Sequence, residues 1–66
     1  MPNPVAIQSY LKGISYPARK RDILDCAFHN EAPEDIIEVL ETVSDREYRT
    51  PAELTREIGS NKHAIL

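Results

Sequence analysis

The chain has 66 residues, a formal net charge of −3, 41% hydrophobic and 29% charged residues, which bounds it to one small domain with a marginal core. It is too apolar for intrinsic disorder, and its mild acidity argues against nucleic acid as a default partner. Two glycines rule out a Gly-rich phosphate cradle, and the single cysteine, Cys26, excludes a disulfide-stapled scaffold and fits a reducing cytoplasm.

In chain order, Asn3-Pro4 reads as an N-cap followed by proline at the first helical position. Ile7 and Leu11 recur at i, i+4 and Gly13 closes the element, predicting a first helix over 4–12. Pro17 predicts the start of a second helix over 17–29. Its residues Ile23, Leu24, Ala27 and Phe28 share an arc of about 140° and read as one buried stripe. Asn30, which tolerates the left-handed conformation, is expected to end it.

Pro33 predicts a third helix over 33–43, with Glu34 and Asp35 where the helix dipole favours acids and Ile36, Ile37, Leu40 and Val43 facing inward. Ser44 and Glu47 have capping-box spacing, which predicts a short turn at 44–48. Thr50-Pro51 with Glu53 repeats that box more sharply and opens a fourth helix over 51–58, ended by Gly59. Residues 60–66 read as a flexible tail or one more helical turn, with an apolar end at Ile65-Leu66. Alternating apolar runs and Asn-Gly turns are missing, so the expected fold is an all-α, single-domain bundle of four short helices over residues 1–66. The expected core is Ile7, Leu11, Ile14, Ile23, Leu24, Ala27, Phe28, Ile36, Ile37, Leu40, Val43, Tyr48, Leu54 and Ile58.

Three segments carry a family resemblance: Tyr16-Pro17-Ala18, then "APEDIIEVLETV", then "REYRTPAELTREIG". Together, over roughly residues 5–59, they resemble small bacterial proteins, common in cyanobacteria and actinobacteria, grouped as a domain of unknown function. The resemblance implies a compact helical fold and a bacterial cytoplasmic setting, and it brings no catalytic residue with it.

The basic run "ARKRD" is the first candidate site. Arg19 stands three residues before Asp22 and Arg21 four before Asp25, spacings that allow ion pairs on one helix face. Lys20 has no such acid and lies at the open end of the apolar stripe. Asp22, Asp25, Cys26 and His29 share a polar helix side, but one helix rarely supplies a closed metal site, and the second histidine, His63, is in the tail. Cys26 is expected to act as a small hydrophobe, and the readings are no metal, no cofactor and no catalytic residue. Tyr10, Tyr16 and Tyr48 are expected at the rim of the core, where tyrosine anchors interfaces.

The reading reached is a non-enzymatic, cytoplasmic protein-interaction domain with Tyr16, Arg19, Lys20 and Arg21 as its contact surface. Its partner is another protein, and homodimerisation would add to so small a core. The "MPNPVAIQSYLKG" start lacks a signal-peptide pattern, and apolar runs stay far below the roughly 18 residues of a membrane span. The alternative is a nucleic-acid-binding regulator using Arg46, Arg49, Arg56 and Lys62. In that reading "ELTREIGSNKHAIL" forms a partial helix-turn-helix with its turn at Gly59.

Overall fold

The computed structural model describes residues 4–65, with side chains described over 5–59. The Asn3 cap, Leu66 and the side chains of Lys62, His63 and Ile65 lie outside what is described. Helix α1 spans Pro4–Ser9, shorter than the predicted 4–12. Three tight bonds follow it: Tyr10 N–H to the Ile7 carbonyl, Leu11 N–H to Gln8 and Ile14 N–H to Leu11. These three-residue closures unwind the helix into a turn. Gly13 ends that turn at φ +91°, a region that a side chain would strain.

The expectation of a purely α fold needs correction. Strand β1, Ala18–Arg19, pairs antiparallel with β2, Glu47–Tyr48, in the register Ala18 to Tyr48 and Arg19 to Glu47. A two-residue strand is too short to display the alternation by which strands are recognised. The ladder also corrects one helix start and shortens one expected turn. The second helix does not begin at Pro17, which follows a cis peptide bond, and the short turn expected at 44–48 is confined to its first residues, where the Arg46 N–H donates to the Ser44 carbonyl at 3.0 Å before β2 begins.

Helix α2 spans Lys20–His29. Arg19 is its N-cap, with an extended backbone at φ −96°, ψ 167°, and the Asp22 carboxylate accepts the Arg19 backbone N–H at 3.1 Å. Asn30 caps the far end but is not left-handed; Glu31 takes the positive φ, at 59°. The Asn30 amide instead donates to the carbonyls of Tyr10 at 2.8 Å and Lys12 at 3.1 Å, tying the turn after α1 to α2.

Helix α3 spans Glu34–Glu41 with Pro33 as N-cap, inside the predicted 33–43. Helix α4 spans Pro51–Ile65. Its start follows the predicted box in its first half: Thr50 Oγ1 accepts the Glu53 N–H at 3.2 Å, whereas Glu53 Oε1 accepts the N–H of Arg49, one residue before the cap, at 3.2 Å. Its end does not, because the helix passes through Gly59. Glycine inside a helix costs only about 1 kcal/mol relative to alanine, too little to stop a helix that is otherwise continuous.

The core gathers Ile7 and Leu11 with Ile23, Ala27, Ile36, Ile37, Leu40, Val43, Tyr48 and Leu54, all as expected, plus Ala18 from β1. Ile14, Leu24 and Ile58 pack against it half-buried. Burying one such isoleucine or leucine stabilises the fold by about 1.5–3 kcal/mol. One core expectation fails, and the rim placement of Tyr48 gives way to its core placement. Phe28 is 59% exposed, because the inward side of α2 centres on Ile23 and Ala27 and an arc of 140° is wider than the contact with α3. Tyr48 is at the centre rather than the rim: it is fully buried, and its hydroxyl donates to the Ser44 carbonyl at 2.6 Å.

Candidate functional site

The outer side of α2 carries Arg21, Leu24, Asp25 and Phe28, spaced i, i+3, i+4, i+7, which places them along one face of the helix. Ile23 and Ala27 hold the opposite side in the core, so this stripe is turned outward. Together with Lys20 and Asp45 it lines a shallow concavity of about 400 Å³. Leu24 is half-buried, Phe28 is largely exposed, and two cations and two carboxylates share the lining.

The structure separates the four residues read as a contact surface. Arg21 lies on this stripe and is exposed. Lys20 lines the concavity but is also committed elsewhere: its Nζ donates to the Glu41 carbonyl at 2.7 Å, at the last turn of α3. Arg19 belongs to the β ladder. Tyr16 packs half-buried against the core, and its hydroxyl is buried with no hydrogen-bond partner among the described residues. Burial raises the Tyr16 pKa, and the neighbouring Cys26 adds to the rise. The ion pairs expected within α2 do not form among the described residues; Asp22 caps the helix instead.

A second concavity, of about 520 Å³, brings together Arg46, Arg49 and Arg56 of the alternative reading. Glu47, Glu53 and Glu57 line it with them, three acids to three arginines. Arg46 is the centre: it lies 3.7 Å from Glu53, 3.6 Å from Glu57 and 4.3 Å from the centroid of the Tyr48 ring. Glu57 also accepts the Ser44 hydroxyl at 2.8 Å and the Ser44 N–H at 3.4 Å. The Ser44 hydroxyl bond is the main cause of a Glu57 pKa below its ordinary 4.5, opposed by some burial and helped by Arg46. A phosphate approaching these arginines meets three carboxylates. The turn expected at Gly59 is continuous helix, which removes the helix-turn-helix geometry.

Cys26 is a free thiol whose Sγ–H points to the Lys12 carbonyl at 3.5 Å, and the Asn30 amide donates to the same sulfur at 3.5 Å. His29 is exposed at the end of α2. Among the described residues, no group of three or more His, Cys, Asp or Glu side chains is placed to hold a metal ion, and no helix is long and apolar enough to cross a membrane.

A family model described as "Protein of unknown function (DUF2795)" matches residues 2–55. The chain belongs to the DUF2795 family. The DUF2795 match spans α1, the β ladder, α2 and α3, and stops at Thr55 inside α4. The whole outer face of α2 falls within the DUF2795 span, whereas the Arg46 cluster straddles its end, with Arg56 and Glu57 beyond it. No curated protein and no solved structure matches the chain. The DUF2795 description assigns no activity, so function has to be argued from these surfaces.

Sequence reasoning missed Phe28 as a surface residue, and missed that half-buried Leu24 also reaches the surface beside it. The signal was present: Arg21, Leu24, Asp25 and Phe28 share a helix face as well as Ile23 and Ala27 do. Asp45, which reaches the same concavity through the β ladder, had no signal near it in the chain.

Proposed function

We propose that this chain is a non-enzymatic protein-interaction domain in a cytoplasmic setting, and that it binds through the outer face of α2. Arg21, Leu24 and Phe28 form the contact surface, with Lys20 at its edge. The observation that carries the reading is Phe28, 59% exposed beside Leu24 within a charged concavity. A single exposed apolar residue is ordinary. An aromatic ring flanked by a leucine and ringed by charges has the make-up of an interface anchor with a polar rim.

The other groups support this reading by being spent on structure. Cys26 and Asn30 hold the turn after α1, and Arg46 and Glu57 hold the 44–48 segment to α4. The lone free thiol supports the cytoplasmic setting. The nucleic-acid reading loses its main support to Glu47, Glu53 and Glu57.

The test is a quantitative pull-down from native cells, comparing wild type with Phe28→Ala and Arg21→Glu. Both substitutions are on exposed side chains, so helicity by circular dichroism should be retained. The reading expects specific protein recovery that falls at least about tenfold for Phe28→Ala. Equal recovery by folded variants overturns this surface.

A further inference from the structure

We propose that the occupant of the α2 face is a second copy of this chain, docked antiparallel across a two-fold axis near Leu24. This rests on the reading of that face as a protein-binding surface and names its partner. The charge pattern carries the inference. Lys20 and Arg21 stand at the N-terminal end of the face and Asp25 and Phe28 toward its C-terminal end, with Asp45 also in the lining. Two positive and two negative groups give neither a strongly acidic nor a strongly basic partner an advantage.

An antiparallel copy gains from the same pattern. It sets Arg21 of each chain against Phe28 of the other, with Asp25 of that other chain one helical turn away. Leu24 then meets its counterpart at the axis. Such an interface is isologous, each contact occurring twice. A parallel copy would set arginine on arginine and Phe28 on Phe28, wasting both charge and ring. Arginine over an aromatic face is a pairing this chain already makes, with Arg46 4.3 Å from the Tyr48 centroid. Antiparallel helices also oppose their dipoles favourably. The face is built on one ten-residue helix, so the contact is smaller than the roughly 800 Å² per partner of a standard interface. The dimer is accordingly weak, with a dissociation constant of about 0.01–0.5 mM.

The experiment is sedimentation equilibrium of the full chain from about 10 µM to 1 mM at low salt. Wild type should dimerise across that range. Phe28→Ala, Arg21→Glu and Asp25→Arg should each weaken the dimer about tenfold or more. The decisive sample is an equimolar mixture of the Arg21→Glu and Asp25→Arg chains. Each alone opposes like charges across the axis, and together they restore opposite ones, so the mixture should associate more tightly than either. Wild type that stays monomeric near 1 mM, a dimer insensitive to all three substitutions, or a mixture no tighter than its components overturns the second copy as occupant. If wild type is monomeric while Phe28→Ala still loses a captured protein from native cells, the surface stands and only its occupant is wrong. Should Phe28→Ala fail to fold, the charge variants still decide the matter.

Discussion

Lys20 Nζ donates a 2.7 Å hydrogen bond to the backbone carbonyl of Glu41 at the end of α3. The contact joins the first residue of α2 to the last residue of its partner helix and explains a lysine that has no acid at helical spacing. The carbonyls at a helix C-terminus have no intrahelical partner, and the helix dipole favours a cation there. Lys20→Met, which keeps the stem and removes the charge, is expected to lower stability by about 0.5–1 kcal/mol in urea unfolding. Lys20→Arg should recover most of it. Equal stability of all three proteins would show that the bond contributes nothing in solution.

The buried hydroxyls of Tyr16 and Tyr48 should respond oppositely to the same substitution. Tyr48 donates to the Ser44 carbonyl at 2.6 Å, whereas the Tyr16 hydroxyl has no partner among the described residues. Tyr48→Phe should cost about 1–2 kcal/mol, because a hydrogen bond is lost and an acceptor is left short. Tyr16→Phe should be neutral or stabilise by up to about 1 kcal/mol, because it removes a desolvated group. Thermal melts of the two variants check this; a loss at Tyr16 as large as at Tyr48 would refute it.

Asn30 is expected to be the most sensitive polar residue of α2. Its amide reaches the carbonyls of Tyr10 and Lys12 and the sulfur of Cys26, anchoring the turn after α1. Asn30→Ala should destabilise by about 1–3 kcal/mol by stranding those carbonyls. Hydrogen exchange offers the sharper readout: protection should fall first at Leu11 and Ile14, whose amides close the turn. Unchanged protection there would contradict the anchor.

Glu57 predicts an acid dependence. Its pKa is depressed, chiefly by the Ser44 hydroxyl bond, so the folded state favours the carboxylate more than the unfolded chain does. That stability is fully present above the unfolded value, near 4.5, and is lost as pH falls through the lower folded value. Wild type should therefore exceed Glu57→Gln in melting temperature at about pH 7, and the gap should narrow as pH falls below 4.5 and close below the folded value. A gap independent of pH would assign the difference to packing instead. Tyr48 gives the alkaline counterpart: burial first, then Glu57, raises its pKa, so its contribution is present below 10.0 and lost as pH rises past the folded value.

The start of α4 is the most legible part of the fold. Thr50, Pro51 and Glu53 write the beginning of α4 in local chemistry, and the Thr50 cap forms as read. Most inward residues were legible for the same reason, since period alone places Ile36, Ile37 and Leu40 on one face. What stayed hidden depends on partners distant in the chain. Ala18 and Tyr48 become strand only because they meet each other, and nothing near either residue announces it. Phe28 was misplaced because hydropathy cannot say which edge of an apolar arc a neighbouring helix will cover. Gly59 has the local look of a stop, although a helix interior tolerates it. On the candidate site, the sequence offers Arg21 and Lys20 as surface cations, but placing Phe28 and Asp45 beside them needs the fold.

The pairing of Ala18 with Tyr48 has a mechanical consequence. The two strands enclose the α2–α3 segment and bring its ends side by side, with α1 and α4 leaving from the open end of the ladder. Tension applied at the two ends of the domain would reach α2 and α3 only after crossing that ladder. The geometry is that of a zipper rather than a shear joint: Ala18 parts from Tyr48 first, then Arg19 from Glu47. The helical hairpin is thereby shielded from load until a two-residue fastener has opened.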